Sequence, residues 1–148
     1  MRALDALRAI KDDSVLPHVI EALYQAGSES EGLADSSVQV MNKAALLLTD
    51  IRGPLVTTQL VAILKKGGNT ISLNKVIETL GLLRDPVATP ALIGALGRSD
   101  LKANATVALQ QIGVAAISNL EGFVKQAKGS HRKQAERVLE LIKGPQKK

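Results

Sequence analysis

The sequence lacks cysteine and tryptophan, and Tyr24 and Phe123 are its only tyrosine and phenylalanine. Without cysteine, the chain has no disulfide bond, no thiolate nucleophile and no cysteine-based zinc ribbon. The scarcity of aromatic rings removes both the stacking platforms for single-stranded nucleic acids and the bulky anchors of many protein interfaces. The absence of cysteine fits a reducing compartment. Because neither a signal peptide nor a membrane-spanning segment is recognisable, we expect a cytoplasmic protein without membrane contact.

Side chains that could act in catalysis or metal binding are also scarce. The two histidines, His18 and His131, lie far apart in the sequence. No set of nucleophile, base and acid is recognisable, and no glycine-rich phosphate loop precedes a Lys-Ser/Thr pair. We expect His18 to be exposed or to have a capping role at a helix start, and His131 to belong to the polar cap. The sequence therefore predicts a protein that is not an enzyme and has no catalytic, cofactor-binding or metal-binding residue.

What the sequence does contain is a repeated unit of roughly 30 residues. The stretch 79–96 recurs in degraded form at 6–23, 48–64 and 109–124. The pattern Ala105, Leu109 and Ile112 then returns thirty residues later as Ala135, Leu139 and Ile142. A chain of such units builds an extended stacked surface instead of one enclosed pocket, so its sequence indicates shape more than ligand.

Each unit is predicted to form two helices, because its apolar residues recur at steps of three and four and the strict alternation of strands is absent. Examples of the apolar stripes are Val19, Ile20 and Leu23 in a first helix and Val76, Leu80 and Leu83 in a second helix. The predicted class is all-α, with about four and a half two-helix units stacked on one another. Helices are expected near residues 1–10, 15–26, 36–50, 55–66, 70–83, 87–97, 100–112, 114–127 and 130–142.

Proline, glycine and aspartate mark the ends of these helices. Pro54 and Pro86 fit first turns, where the amide has no intrahelical partner. Gly97 fits a left-handed position that terminates a helix, and Asp100 fits the cap of the next one.

Residues 83–96, Leu-Arg-Asp-Pro-Val-Ala-Thr-Pro-Ala-Leu-Ile-Gly-Ala-Leu, and residues 105–113, Ala-Thr-Val-Ala-Leu-Gln-Gln-Ile-Gly, resemble the short HEAT-like repeats named after phycobilisome lyases (PBS lyase HEAT-like repeats). The resemblance covers nearly the whole chain. It implies an α-α superhelix, a right-handed HEAT-like solenoid, whose concave face is lined by the second helix of each pair. It also implies a role in holding other proteins.

The same broad group includes bilin lyase subunits and an iron-dependent hydroxylase of a modified lysine. The resemblance implies for that hydroxylase an iron site of paired His-Glu dipeptides on successive helices. Here His18 is followed by Val19 and His131 by Arg132, so the dipeptide is absent. The hydroxylase activity is therefore not expected.

The chain opens inside a unit, because residues 1–10 match a second helix that no first helix precedes. We expect a single repeat domain over 1–148 that is part of a longer array. In the alternative, this half-unit self-associates with another copy or stacks on a partner. Residues 27–37 are rich in small, polar and acidic residues and indicate an inserted loop between the first two full units.

The net charge of +5 is unevenly placed. Residues 123–148 contain eight basic and two acidic groups, whereas residues 1–122 contain 11 basic and 12 acidic groups. The last unit of an array needs a polar outer face, so we interpret this excess as a cap that ends in a disordered basic tail at 143–148. Nucleic-acid binding by the basic end is the alternative. It is not expected, because only Phe123 accompanies the basic cluster as an aromatic residue.

Candidate partner-binding residues follow from the register of the second helices. Residues one before, two after and six after the first member of each apolar stripe project toward the concave side. The predicted contact residues are Lys43, Leu46, Asp50, Lys75, Glu78, Leu82, Asn104, Val107, Gln111, Arg137 and Leu141. The same rows contain Gln134 and, in the opening half-unit, Arg2, Asp5 and Ala9.

Four of these residues, Leu46, Leu82, Val107 and Leu141, are apolar where solvent is expected, as in a groove for a peptide or a helix. In the alternative they touch neighbouring helices or are singly exposed. The leading hypothesis is a non-enzymatic scaffold that binds a protein partner across this face. The alternatives are a bilin lyase subunit or related chromophore-handling protein, and nucleic-acid binding by the basic C-terminal unit.

Overall fold

The computed structural model of the chain describes residues 16–28, 35–51, 53–68 and 70–144, and every regular element in those ranges is helical. The predicted all-α class is therefore confirmed. The predicted helix at 1–10 lies outside the described residues, and so does the half-unit considered for self-association.

Within the described ranges the chain forms eight α-helices and two short 3-10 helices. The α-helices are α1 (Leu16–Ser28), α2 (Asp35–Ile51), α3 (Pro54–Lys66), α4 (Thr70–Leu83), α5 (Thr89–Ala95), α6 (Lys102–Ile112), α7 (Ile117–Gln126) and α8 (Gly129–Lys143). The 3-10 helices, Pro86–Ala88 and Gly113–Ala116, lead directly into α5 and α7. These bounds agree with the predicted ones to within a few residues, except that α5 and α7 begin with a 3-10 turn.

The helices pair in chain order and form two layers. Each odd-numbered helix, here called a first helix, contacts the even-numbered second helix that follows it. First helices also contact the next first helix, and second helices contact the next second helix. Each apolar stripe is thus buried between the partner helix and the neighbouring pairs.

The core between the layers is aliphatic. Its fully buried side chains include Leu23, Leu48, Leu60, Leu80 and Leu109. Each such side chain contributes about 1.5–3 kcal/mol relative to exposure, so the neighbouring pairs supply much of the stability of any one pair. The predicted stripes of the described helices pack in this core, although Ile112, Leu139 and Ile142 are only half-buried.

The proline positions are as predicted. Pro54 is the first residue of α3, and Pro86 opens the first 3-10 helix. The Oδ1 atom of Asp85 caps that 3-10 helix by accepting a hydrogen bond from the amide of Val87 over 3.0 Å.

Two predictions for the turn between α5 and α6 are wrong. Gly97 does not adopt a positive φ, and a Cβ at this position would make a tight contact of 3.0 Å with the ring of His131. Asp100 does not cap α6, which begins at Lys102 and has no side-chain cap. The Asp100 carboxylate is bound elsewhere, by Arg98 and a residue of α4.

The predicted loop and tail overlap helices at their described ends. Residues 27–28 end α1 and residues 35–37 begin α2, while residues 29–34 of the predicted loop lie outside the described residues. The tail prediction is wrong at Lys143, which is the last residue of α8 and whose Nζ donates to Oε2 of Glu121 over 2.9 Å. Residues 145–148 lie outside the described residues.

Tyr24 joins the first pair of helices to the second. Its hydroxyl donates to the carbonyl oxygen of Gly67 over 3.3 Å, and its own carbonyl oxygen accepts from Oγ of Ser72 over 2.8 Å. Gly68, with φ of 145°, has no room for a Cβ because the phenol ring occupies that space. The single tyrosine therefore fixes α1 against the turn between α3 and α4.

The helical stretch Lys102–Gln126 is long and apolar enough, by length and composition alone, to cross a membrane, with a mean hydropathy of 1.2. It is not one straight helix, because Gly113 has φ of 76° and the following 3-10 turn separates α6 from α7. These two helices belong to different layers, and α6 packs against both α4 and α8. No clear membrane-spanning helix therefore occurs in the described ranges.

Candidate partner-binding face

The second helices place the predicted contact residues in rows. The first core residues of these helices, all buried, are Ala44, Val76, Ala105 and Ala135. Positions two and six residues later lie about one turn apart on the outer side of each helix. We call these eight positions the ridge; they are Leu46, Asp50, Glu78, Leu82, Val107, Gln111, Arg137 and Leu141.

The four aliphatic members of the ridge are each between 42% and 57% exposed; they are Leu46, Leu82, Val107 and Leu141. Leu80 and Leu109, on the same helices, are fully buried. The helical period therefore separates the ridge from the core. The other large aliphatic side chains exposed among the described residues are Leu55, Val87 and Val114, none of which lies on a second helix.

Apolar and polar residues alternate along the ridge from one second helix to the next. Leu46 and Val107 occupy the earlier row, on α2 and α6, whereas Leu82 and Leu141 occupy the later row, on α4 and α8. Packed helices lie about 8–10 Å apart and the two rows about 6 Å apart, so successive aliphatic side chains are roughly 11 Å apart. The remaining positions are polar: Asp50, Glu78, Gln111 and Arg137.

The row one residue before each first core residue faces the preceding second helix. The side chains of this row donate hydrogen bonds to the preceding second helix, and we call this set of hydrogen bonds the ladder. The ladder runs from Lys75 to Asn42 (2.9 Å), from Asn104 to Asn74 (3.0 Å) and from Gln134 to Thr106 (3.2 Å). These bonds connect α2, α4, α6 and α8 in order.

Two predicted contact residues, Lys75 and Asn104, thus act as links between helices. The Lys75 side chain is only 15% exposed and also forms an ion pair with Glu78 at 2.9 Å. The Glu78 side chain is 53% exposed, so its carboxylate stays accessible on the ridge. Lys43, in the same row as Lys75, is half-buried, and Asp50 is exposed.

Gln111 lies over the close approach of α4 and α6. A Cβ on Gly81 would lie 2.9 Å from Cα of Ala108 and would overlap the Gln111 side chain. Glycine within a helix is unfavourable unless packing requires it. The missing side chain of Gly81 therefore sets the separation of these two helices and leaves Gln111 half-buried.

A polar cluster at the start of α6 was not predicted. The Asp100 carboxylate accepts hydrogen bonds from Nη2 of Arg98 (2.6 Å), Nε of Arg98 (3.1 Å) and Oγ1 of Thr70 (2.7 Å). The hydrogen bonds from Arg98, and then from Thr70, hold the pKa of Asp100 below its ordinary value of 3.8. Asn74 Nδ2 also donates to the carbonyl oxygen of Asp100 over 3.2 Å. One sequence feature relates to this cluster: Asn74 lies two residues before a first core residue, as Asn42 does in the preceding second helix.

The two histidines differ in environment. His18 is exposed at the start of α1, as predicted. The prediction for His131 is wrong: its ring is half-buried and packs on Phe123, with centroids 4.6 Å apart, and its Nε2 lies 2.8 Å from the carbonyl oxygen of Ile93. In the part of the chain that the structure describes, no three metal-ligating side chains converge on one position.

No protein-family model matches the chain, and no curated protein matches it either. The resemblance to HEAT-like repeats therefore rests on the residues 83–96 and 105–113 themselves.

Proposed function

We propose that this chain is a non-enzymatic scaffold that holds a protein partner along the ridge of its second helices, in the cytoplasm. The observation that carries the proposal is the placement of one exposed aliphatic side chain on each of the four second helices. Each of these side chains is already about half buried, so a partner that covers the ridge gains roughly half of the 1.5–3 kcal/mol of full burial at each of the four positions. The polar residues between them match the mixed character of non-obligate interfaces.

We also propose that the fold is an α-α superhelix of the HEAT-like type, with about four and a half two-helix units. The order of the helix contacts supports this proposal, because like helices touch in sequence within each layer. The bilin-handling alternative stays a prediction from the resemblance alone.

The spacing of the ridge favours an amphipathic helix as the bound segment. Residues seven apart on a helix lie on one face, about 10.5 Å apart along its axis, close to the roughly 8–10 Å between packed second helices. The aliphatic side chains of the ridge lie alternately on either side of that axis. A helix laid across the second helices therefore presents one apolar residue to each of them at every seventh position. Asp50 and Glu78 at one end, and Arg137 at the other, favour a segment whose charge changes sign along its length.

Site-specific photo-crosslinking tests the ridge. Benzoylphenylalanine is placed at Leu82 or Val107, and at Val114 as a control that is more exposed, at 77%, but off the ridge. After irradiation in cell extract, proteins joined at the two ridge positions and not at Val114 are identified by mass spectrometry. The expected product is one shared partner whose linked peptide has apolar residues seven apart.

The identified partner is then titrated into purified variants. Leu82→Asp and Val107→Asp are expected to weaken binding about tenfold or more, because each leaves a charge against an apolar contact. Val87→Asp and Val114→Asp introduce the same charge outside the ridge and are expected to bind like the wild type. Equal affinity for all four variants, with unchanged helical circular dichroism, contradicts the proposal.

A further inference from the structure

A pocket of about 330 Å³ lies between the start of α6 and one face of α8, at the basic end of the second-helix layer. Its polar lining consists of Ser99 and Lys102 from α6 and the turn before it, and Ser130, Lys133, Gln134 and Arg137 from α8. The four α8 residues lie at steps of three, one and three, and so share one helix face. No acidic residue lines the pocket.

The charges of this pocket are not neutralised within the part of the chain that the structure describes. Lys102, Lys133 and Arg137 form no ion pair or side-chain hydrogen bond there. The nearby carboxylates of Asp100 and Glu136 are paired with other cations, Arg98 and Arg132. Glu140, one turn beyond Arg137, is outside the lining.

The junction between α4 and α6 is equivalent to this pocket one unit earlier, and there a carboxylate of the chain itself is present. Thr70 and Ser99 both lie six residues before a first core residue, and Asp100 and Ser130 both lie five residues before one. Between α4 and α6, the Asp100 carboxylate accepts from the Thr70 hydroxyl over 2.7 Å. Between α6 and α8 the hydroxyl is retained as Ser99, but Ser130 replaces the carboxylate.

The cations differ between the two places. Arg98, which binds Asp100, lies seven residues before its first core residue; Lys128 has that position before α8 but does not line the pocket, whose cations are Lys102, Lys133 and Arg137. The junction between α6 and α8 therefore has a hydroxyl and cationic side chains and lacks the anion. Ser130 lies in the first turn of α8, where the helix dipole also favours negative charge.

From this comparison we propose that the pocket binds a phosphate monoester on the protein partner, that is, a phosphorylated side chain. The proposal rests on the scaffold function, because Arg137 belongs both to the ridge and to the pocket. A single carboxylate is satisfied by one arginine and one hydroxyl, as Asp100 is. A phosphate monoester has a charge near −2 and three acceptor oxygens, which matches three cations and two hydroxyls. Arg137 supplies the bidentate geometry that phosphate favours.

A nucleic-acid backbone is a poorer fit. A phosphate backbone needs cations along a track, whereas these cations converge on one pocket. A single strand also needs aromatic faces for its bases. Phe123, the aromatic residue of this end, has its ring packed against His131. The contact of His131 with Ile93 also fixes the start of α8 against α5, which holds Ser130 in place.

The test is a nuclear magnetic resonance titration of the full chain with O-phosphoserine at constant ionic strength, with serine and sodium chloride as controls. The expected result is saturable shifts of the amides at 99–102 and 130–137 with O-phosphoserine alone. Shifts that sodium chloride reproduces, or no saturation, overturn the proposal.

Ser130→Asp supplies the missing carboxylate from within the chain. It is expected to weaken O-phosphoserine binding about tenfold or more without unfolding the protein, because an acidic residue in a first turn is favourable. Ser118→Asp is the matched control: Ser118 is the second residue of α7, as Ser130 is of α8, and the change in net charge is the same. Lys133→Gln is expected to weaken binding as well. Equal binding by Ser130→Asp and Ser118→Asp overturns the proposal.

Two further measurements distinguish phosphate-monoester binding from nucleic-acid binding and from the scaffold proposal. A single-stranded oligonucleotide that shifts the same amides at lower concentration than O-phosphoserine, with steep salt dependence, overturns the proposal in favour of nucleic acid. Leu82→Asp is expected to bind O-phosphoserine like the wild type, because Leu82 lies outside the pocket. A chain that captures its partner yet does not bind O-phosphoserine loses the pocket proposal and keeps the scaffold proposal.

Discussion

Asn104 donates through its side-chain amide to Oδ1 of Asn74 over 3.0 Å, which links α6 to α4. The amide of Asn74 donates in turn to the carbonyl oxygen of Asp100 over 3.2 Å. The Asn74 side chain therefore accepts a hydrogen bond from α6 and donates one to the turn that precedes α6. Because Asn74 lies two residues before the buried Val76, the packing of the core also fixes the register of the ladder.

Asn74→Ala removes both of these hydrogen bonds. Each contributes about 0.5–1.5 kcal/mol, so we expect the free energy of unfolding to fall by about 1–3 kcal/mol in urea denaturation. Asn119→Ala, on the exposed surface of α7, is expected to change it by less than about 0.5 kcal/mol. If the double variant Asn74→Ala/Asn104→Ala loses the sum of the two single losses, the 3.0 Å contact contributes nothing.

The same glycine-to-alanine change is expected to have opposite effects in two helices. Gly81→Ala places a methyl group 2.9 Å from Cα of Ala108, and overpacking of this kind costs about 1–3 kcal/mol. Gly122→Ala, where nothing lies within 4 Å of the new methyl group, is expected to stabilise α7 by about 0.5–1 kcal/mol. Thermal midpoints of the two variants that move in the same direction contradict the close approach of α4 and α6.

Thr89 is fully buried at the start of α5, and its hydroxyl has no hydrogen-bond partner among the described residues. An unpaired buried hydroxyl costs about 1–3 kcal/mol, so Thr89→Val is expected to raise the free energy of unfolding by about 1 kcal/mol or more. Thr79 is equally buried, but its hydroxyl donates to the carbonyl oxygen of Lys75 over 2.7 Å. Thr79→Val is therefore expected to lower stability. A loss of stability in both variants places a partner at the Thr89 hydroxyl.

The cluster around Asp100 predicts a pH dependence. Its pKa is lower in the folded chain than in the unfolded chain, chiefly because Arg98 donates hydrogen bonds to its carboxylate. Its stabilising contribution is therefore fully present above pH 3.8, and is lost as the pH falls through the folded pKa. The difference in thermal midpoint between the wild type and Asp100→Asn is expected to shrink from pH 6 to about pH 3.

Arg98→Gln is expected to remove much of that pH dependence, because it deletes the main donor to Asp100. Lys125→Gln removes a positive charge from α7 instead and is expected to leave the dependence unchanged. A midpoint difference between wild type and Asp100→Asn that stays constant with pH argues against the paired carboxylate.

Local spacing was enough to predict the described helices, to within a few residues, and the exposed aliphatic residues of the ridge. Leu80 is buried and Leu82 is exposed because the helical period assigns them to different faces, and that period is visible in any short window of sequence. The binding role of the ridge stays a prediction, since no partner is bound to it.

Pairing between polar side chains of different units was not predictable in the same way. Thr70 and Asp100 lie thirty residues apart, and a hydrogen bond between them leaves no periodic trace in the sequence. A glycine within α4 is likewise visible at position 81, but only the nearness of Ala108 on another helix explains it. Asp100 was assigned to a helix cap because capping is a local rule, and the contacts from Thr70 and Arg98 override it.

Since the chain has no tryptophan, Tyr24 dominates its near-ultraviolet absorption and fluorescence. The phenol reports on one junction only, where its hydroxyl meets the carbonyl oxygen of Gly67. If the proposed array opens one unit at a time, the tyrosine signal and the far-ultraviolet signal of all helices change at different denaturant concentrations. Tyrosine fluorescence then reports the separation of α1 from the turn between α3 and α4 independently of the loss of the other helices.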